Sequence, residues 1–255
     1  MKRTISFILI LLTTIVSLGR ENHLEQYNIS YLNIMTGLPD NFVSDIYTDS
    51  YGFVWIATHS GGLVRYDGYT YLYLGIGHKG LSLRSNSCRN VTEDRFHRLW
   101  ISFDEGTDIV NLNTMLPESL KQTVSGYNLQ KILSERSVKV YTDTKGFLWL
   151  ITMNHIYRFS FTVNGTISGI KKLNYVGNTP DVMVMDNDKD GEVWVAINNI
   201  LFKLGTAENS LKVIRRLDVL KNTGAHYISG LIKYAGKIWI GTNSGLYAMQ
   251  ENGRG

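Results

Sequence analysis

The tryptophans of the sequence recur at a nearly fixed interval, and this interval limits the possible folds more than any other feature. They stand at positions Trp55, Trp100, Trp149, Trp194 and Trp239. The interval is about 45 residues, and it is slightly longer between the second and third tryptophans. A period of this length predicts a chain of repeated structural units rather than one irregular domain.

The residues around each tryptophan repeat as well, in the pattern D-x-x-G-x-Φ-W-Φ, where Φ is apolar. The aspartates of the pattern are Asp49, Asp94, Asp143 and Asp188, and its glycines are Gly52, Gly146, Gly191 and Gly236. His97 replaces the glycine of the second unit, and Lys233 replaces the aspartate of the fifth. The combination of aspartate, glycine and tryptophan in any one unit is therefore a feature of the repeat and does not by itself indicate a functional site.

The pattern predicts a β-hairpin in each unit. The aspartate accepts backbone N–H groups in the turn, the glycine takes a positive φ, and the following strand carries the tryptophan. Four short strands in about 45 residues form one blade of a β-propeller. We therefore predict an all-β fold, a β-propeller with five recognisable four-stranded blades over residues 20–255, in which the tryptophans pack between adjacent sheets.

The segment from Tyr27 to Asn41 precedes the first unit, and the last unit stops after "LYAMQENGRG", where its outer strand is missing. We expect a strand of that segment to be the outer strand of the last blade, because propellers close their rings in order to avoid an open sheet edge. Two arrangements fit the sequence: a closed five-bladed ring, or the first five blades of a longer ring.

The N-terminus is typical of an export signal. Lys2 and Arg3 precede the apolar stretch "ISFILILLTTIVSLG", and small residues follow near Gly19. We predict a signal peptide at residues 1–19, with an uncleaved membrane anchor as the alternative. The single cysteine, Cys88, cannot form an internal disulfide, so the core must stabilise an exported protein unaided.

The net charge of +4 does not indicate a nucleic-acid-binding protein. Basic residues are scattered along the chain, and no run of lysine and arginine could follow a phosphate backbone. We therefore predict no nucleic-acid partner.

The segment "GLPDNFVSDIYTDSYGFVWIATHSGGLVRYDGYTY", from Gly37 to Tyr71, resembles the regulator-propeller repeat of the periplasmic sensor domains of bacterial hybrid two-component systems. Later units match more weakly, as in "DTKGFLWLIT" and "AGKIWIGTNSGLY". The resemblance implies seven-bladed propellers in pairs, followed by a β-sandwich, a membrane span, a histidine kinase and a receiver. It also implies sensing of oligosaccharides released from polysaccharides.

Five blades without a kinase make the chain an expected N-terminal fragment of a seven-bladed propeller, with no enzyme activity of its own. By resemblance, its partners are an oligosaccharide and the remaining sensor and kinase modules, and homodimer formation stays open. We expect a periplasmic or exported location. The alternatives are a free-standing secreted scaffold for protein–protein binding and a glycoside-processing enzyme, although no catalytic constellation is visible in the sequence.

Loops after the tryptophan strands gather at one end of a propeller and vary between units, so we predict the ligand contacts there. The candidates are His59, Ser60, Asp104, Glu105, Asn154, His155, Asn198, Asn199 and Asn243. Hydroxyl, amide and carboxylate groups of this kind suit sugar hydroxyls. We predict no metal or cofactor: "DNDKDG", from Asp186 to Gly191, imitates a calcium loop, but Ile197 stands where the bidentate glutamate is required.

Overall fold

A computed structural model describes residues 29–77, 81–118, 120, 123–124, 126–175, 182–186, 192–197, 199–207, 210–221 and 223–250. The chain divides into two units, residues 1–32 and residues 33–255. The predicted signal peptide at residues 1–19 lies outside the described residues. In the described part, no helix is both long enough and apolar enough to cross a membrane.

Five antiparallel blade sheets follow one another along the chain, with a small two-stranded sheet between the second and the third, and the strands of each blade pair in chain order. The strands are β1 Val43–Thr48, β2 Val54–Thr58, β3 Leu63–Tyr66 and β4 Tyr71–Leu74 in blade 1; β5 Cys88–Glu93, β6 Arg98–Phe103, β7 Gly106–Asn111 and β8 Leu116–Pro117 in blade 2; β11 Ser137–Thr142, β12 Leu148–Thr152, β13 His155–Phe161 and β14 Ile167–Asn174 in blade 3; β15 Val182–Asp186, β16 Val193–Ile197, β17 Ile200–Ala207 and β18 Ser210–Leu217 in blade 4; and β19 Ile228–Tyr234, β20 Lys237–Thr242 and β21 Gly245–Gln250 in blade 5. The predicted all-β, five-bladed propeller is confirmed.

Blades 2 and 3 are joined by the longest connection between described blades. It contains the short strands β9 (Thr123–Val124) and β10 (Tyr127–Asn128) and the helix α1 (Leu129–Leu133). This insertion accounts for the longer interval between the second and third tryptophans.

Each tryptophan of the first four blades fills the space between its own sheet and the next. Trp55, Trp100, Trp149 and Trp194 are at most 1% exposed. Trp55 packs in one apolar cluster with Val91 and Ile101 of blade 2. Trp149 does the same with Val193 and Val195 of blade 4. The indoles are therefore wedges that bind neighbouring blades together.

The aspartate of the repeat performs two tasks at once. Asp49 accepts the backbone N–H groups of Tyr51 and Phe53, both at 2.9 Å, through Oδ1. Its Oδ2 accepts the indole N–H of Trp55 at 2.7 Å. The aspartates of blades 2 and 3 hold their tryptophans in the same way, at 2.8 Å. Each aspartate therefore shapes the turn and also pairs the one polar atom of a buried indole.

The glycine position of the repeat, three residues before the tryptophan, has a positive φ in blades 1, 2, 3 and 5. The angles are 88° at Gly52, 78° at Gly146, 73° at Gly236 and 57° at His97. His97 adopts the left-handed region despite its side chain, and its Nδ1 lies 2.9 Å from Oε1 of Glu93. Asp188 and Gly191 of the fourth unit lie outside the described residues.

The expected closing strand between Tyr27 and Asn41 was wrong for the described residues 29–41. They contain a 3-10 turn at Ile34–Thr36 and no strand. Asn33 caps this turn, Gly37 ends it with a φ of 111°, and Leu38 is buried against Ile56 and Val64 of blade 1. The capping residues favour the turn, and the apolar Leu38 fixes it to the first blade rather than the last.

Candidate functional site

The topology of the sheets brings the predicted contact residues to one end of the propeller. In a four-stranded antiparallel sheet, the start of the first strand, the turn between the second and third strands and the end of the fourth strand share one side. We call this side the loop end. His59, Asp104, His155, Asn199 and Asn243 all lie in or beside its turns between second and third strands.

The loop after β2 of blade 1, which contains His59 and Ser60, is held in place by contacts with Asp40 and Phe42. Both the N–H and the hydroxyl of Ser60 donate to Oδ2 of Asp40, at 2.9 and 2.7 Å. The ring of His59 lies edge-on to Phe42, with 5.3 Å between the centroids. Hydrogen bonds from the Phe42 backbone and from Ser60 lower the pKa of Asp40. These contacts hold the residues that precede β1 in place. Both polar groups of Ser60 are therefore already hydrogen-bonded within the protein.

The amides of blades 4 and 5 also hold backbone in place. Asn199 accepts the N–H of Ile228 at 3.1 Å and donates to the carbonyl of His226 at 2.8 Å. Asn243 accepts the N–H of His226 at 2.8 Å. Asn198 lies outside the described residues. The described candidates of these two blades therefore orient the segment that enters β19.

A different arrangement occurs where blades 2 and 3 meet. Asp104, between β6 and β7, accepts hydrogen bonds from Nε of Arg89 at 2.6 Å and from Nε of Arg136 at 3.0 Å. The hydrogen bond and charge of Arg89, aided by Arg136, lower the pKa of Asp104. The Arg136 side chain is 53% exposed, so its remaining N–H groups can reach a solute.

Glu135, next in the chain to Arg136, forms the second half of this arrangement. Its Oε2 lies 2.7 Å from Nδ1 of His155, and its Oε1 accepts the hydroxyl of Tyr157 at 2.7 Å. Burial alone raises the pKa of Glu135, but hydrogen bonds from His155, Tyr157 and Thr152 outweigh burial and lower that pKa overall. Burial and the bond to Glu135 raise the pKa of the Tyr157 hydroxyl.

The adjacent residues Glu135 and Arg136 therefore connect two of the predicted contacts, Asp104 of blade 2 and His155 of blade 3. We call this set of side chains the loop cluster: Arg89, Asp104, Glu135, Arg136, His155 and Tyr157. Of the other two candidates beside it, Asn154 is exposed and accepts the N–H of Tyr175 through its carbonyl, and Glu105 is exposed beside Asp104.

Sequence reasoning missed Arg89, Glu135, Arg136 and Tyr157. It considered only the turns after the tryptophan strands, whereas Glu135 and Arg136 come just before β11. The antiparallel topology places that connection at the same end of the sheet. The connections between blades contain Glu135 and Arg136, whereas Arg89 lies in β5 and has no signal of this kind.

The loop cluster suits recognition better than acid–base catalysis. Glycoside hydrolysis uses two carboxyl groups, one of which must keep its proton near neutral pH. Asp104 and Glu135 both have lowered pKa values. Both therefore act as hydrogen-bond acceptors and hold Arg136 and His155 in position.

The described residues contain no group of three or more potential metal ligands. Residues 187–191 of the calcium-like stretch lie outside the part of the chain that the structure describes.

A family model described as a two-component regulator propeller matches residues 37–60, in blade 1. No curated protein sequence matches the chain. Among solved structures, the chain is similar to the extracellular domains of two proteins from B. thetaiotaomicron described as hybrid two-component systems. Identity is 18% for both, with TM-scores of 0.53 and 0.51.

These two matches cover 89% and 88% of the chain, but only 36% and 37% of the solved domains. The chain thus spans little more than a third of their length. A virginiamycin B lyase from Staphylococcus aureus is similar at 14% identity, with a TM-score of 0.54 over 82% of the chain and 66% of the lyase. Identities this low show a shared propeller fold. Blade 1 therefore contains a two-component regulator propeller repeat, within a fold shared with the extracellular domains of hybrid two-component systems.

Proposed function

We propose that this chain is the ligand-sensing propeller domain of an exported two-component regulator, and that its ligand is an oligosaccharide released from a polysaccharide. The regulator propeller repeat at residues 37–60 carries the proposal. The shared fold with extracellular domains of hybrid two-component systems supports it.

The loop cluster supplies a suitable contact surface. Arg136 offers N–H donors, His155 offers a ring nitrogen that is not bonded to Glu135, and the adjacent Asn154 offers an exposed amide. Sugar hydroxyls both donate and accept hydrogen bonds, so a mixed set of donors and acceptors suits them. Because Asp104 and Glu135 fix Arg136 and His155 in advance, little side-chain freedom is lost on binding.

In this proposal the membrane span, the kinase and the receiver are modules outside these 255 residues. The short span of the chain relative to the extracellular domains of hybrid two-component systems is consistent with a partial sensor. The export signal predicted at residues 1–19 would deliver the domain to the periplasm.

Calorimetry of the full chain with defined oligosaccharides tests the proposal. We expect saturable binding, with unchanged oligosaccharide recovered afterwards. Arg136→Ala should weaken binding about ten-fold, because it removes charge-assisted hydrogen bonds. The matched control is Arg216→Ala, which removes an exposed arginine from the outer strand of blade 4 and should leave affinity unchanged.

Cleavage of the oligosaccharide would overturn the proposal in favour of a glycoside-processing enzyme. Failure of every oligosaccharide to bind would also overturn it, and would leave the protein–protein scaffold as the better explanation.

A further inference from the structure

Blade 2 contains a cavity that the repeat does not predict. Its outer strand β8 has only two residues, whereas those of blades 3 and 4 have eight. The first half of β7 therefore pairs with β6 but has no strand on its outer edge, and a cavity of about 680 Å³ lies there. This volume falls within the range of small-molecule pockets, about 300–1,000 Å³. We call it the blade 2 cavity.

The open edge of β7 is closed by an arginine instead of a strand. Nη2 of Arg84 donates to the carbonyl of Thr107 at 2.9 Å, and its Nη1 reaches the carbonyls of Glu105 and Leu133. Its Nε donates to Asp108 at 2.6 Å. Arg84 thus blocks the edge against a further strand, so an extended peptide is not the occupant.

Gly106 is required for this closure. Its φ is 131°, and a Cβ atom there would collide with Nη1 of Arg84 and the carbonyl oxygen of Leu133. The glycine thus lets Arg84 and the end of α1 approach β7, and the three segments together form a fixed wall.

One polar group in the wall has no partner. The hydroxyl of Thr107 is buried, with the residue 1% exposed, and makes no hydrogen bond within the described part of the chain. A buried hydroxyl without a partner costs about 1–3 kcal/mol. Thr107 lines the cavity, and a bound molecule that displaces the atoms covering this hydroxyl can supply the missing bond.

The other polar side chains of the lining restrict the charge of a molecule that can bind in the cavity. They include Arg84, Asp108, Glu118, Gln130 and Ser134, beside apolar side chains such as Leu83 and Leu129. Arg84 and Asp108 neutralise each other as an ion pair at 2.6 Å. Glu118 then gives the described residues of the lining a net negative charge, which repels anions and favours neutral or cationic ligands.

We propose that the blade 2 cavity binds one neutral or amino-substituted sugar unit and rejects acidic sugars. The choice of a sugar rests on the proposed function, and the selectivity against negative charge comes from the cavity. The lining supplies hydrogen-bonding groups for ring hydroxyls, and Leu83 and Leu129 offer apolar contacts to the C–H groups of the ring.

Three probes with the same ring test the selectivity: glucose, glucosamine and glucuronate, titrated into the full chain and followed by amide NMR shifts. We expect glucose and glucosamine to shift the amides of residues 81–84, 107–109 and 129–134. Glucuronate should bind at least about five-fold more weakly, as expected for one unfavourable charge contact. Glu118→Gln should remove that difference.

Thr107→Val tests the free hydroxyl. It keeps the shape of the side chain and should weaken glucose binding about three- to ten-fold without destabilising the fold. Thr114→Val is the matched control, because Thr114 is exposed in the same blade and does not line the cavity. Equal effects of the two variants, shifts located elsewhere, or preferred binding of glucuronate would overturn the inference.

The two proposals can fail separately. Oligosaccharide binding that is unaffected by Thr107→Val would overturn the cavity site and leave the sensing function intact. Glucose binding in the cavity without any oligosaccharide binding would support the cavity site and overturn the sensing function.

Discussion

Blades 2 and 5 carry the same tryptophan but hold it differently. Trp100 is fully buried, and its indole N–H donates to Asp94 at 2.8 Å. Trp239 is partly exposed, and its N–H reaches the carbonyl of Tyr234 at 3.3 Å, because Lys233 stands where the aspartate should be. The same residue type is therefore fully buried in blade 2 and partly exposed in blade 5.

The difference shows what the repeat does and does not determine. It determines that a hairpin forms, since β19 and β20 pair as the first two strands of the other blades do. It does not determine the turn, because only Ala235 and Gly236 join β19 to β20, whereas residues 49–53 join the corresponding strands of blade 1. It does not determine burial, which needs both an aspartate to pair the indole N–H and a neighbouring sheet to cover the ring.

The largest expected effect on stability comes from removing a fully buried indole. Trp100→Ala should lower the free energy of unfolding by about 3–5 kcal/mol, because it leaves a large cavity. Trp239→Ala should lower it by less than about 2 kcal/mol, because the ring is already partly solvated. Urea denaturation of both variants checks the comparison, and equal losses would break it.

The next largest effect on stability is expected at Asp94, which pairs with buried Arg98 in addition to accepting the indole N–H of Trp100. Asp94 is 2% exposed and Arg98 is 3% exposed, with Nε and Oδ2 2.8 Å apart. Asp94→Ala should cost about 3–5 kcal/mol, since it leaves a buried charge without a partner. Asp49→Ala, in a turn where the aspartate accepts no arginine, should cost only about 1–3 kcal/mol. A larger loss for Asp49→Ala in the same denaturation assay would contradict this order.

At the other end of the propeller, blade 3 carries a titratable network and blade 5 carries the neutral Asn243. The folded-state pKa of Glu135 is lowered, so its stabilising effect is present above its unfolded pKa of about 4.3 and is lost as pH falls through the folded value. Glu135→Gln should flatten the pH dependence of stability below about pH 5, by less than about 1 kcal/mol because the group is partly solvated. Thermal unfolding between pH 3 and 7 measures this, and parallel curves for both proteins would rule it out.

The smallest expected effect is that of Lys233→Asp. Lys233 pairs with Ile238 within β19, so an aspartate there would lie in the strand and not in a turn. We expect the free energy of unfolding to fall by about 0.5 kcal/mol, because aspartate is disfavoured in strands. A gain in stability in urea denaturation would show instead that the aspartate restores the turn of the other blades.

The sequence allowed the propeller to be predicted because its signal is periodic. Each tryptophan, aspartate and turn glycine is supported by its counterparts in other units, so the blade boundaries could be assigned from spacing alone. The N-terminal segment has no counterpart. Asn33, Gly37 and Leu38 formed a capped turn on blade 1 where a strand in the last blade was expected.

The candidate site could be predicted only in part, because no unit repeats it. Asp104 and His155 were found from their position after tryptophan strands, but Glu135 and Arg136, which connect them, belong to an insertion that occurs once. The blade 2 cavity was missed for the same reason. It results from the shortening of β8 and from Arg84, and neither has a periodic signature.

Hydrogen–deuterium exchange of the full chain, with and without a bound oligosaccharide, tests the central claim most directly. The claim is that the repeated aspartates and tryptophans are scaffold and that the loop cluster contacts the ligand. We predict slower exchange at residues 104–105, 135–136 and 154–155, with the hairpin turns at residues 49–53 and 143–147 unchanged. Protection confined to those hairpin turns, or spread equally over the loops of all five blades, would contradict the account.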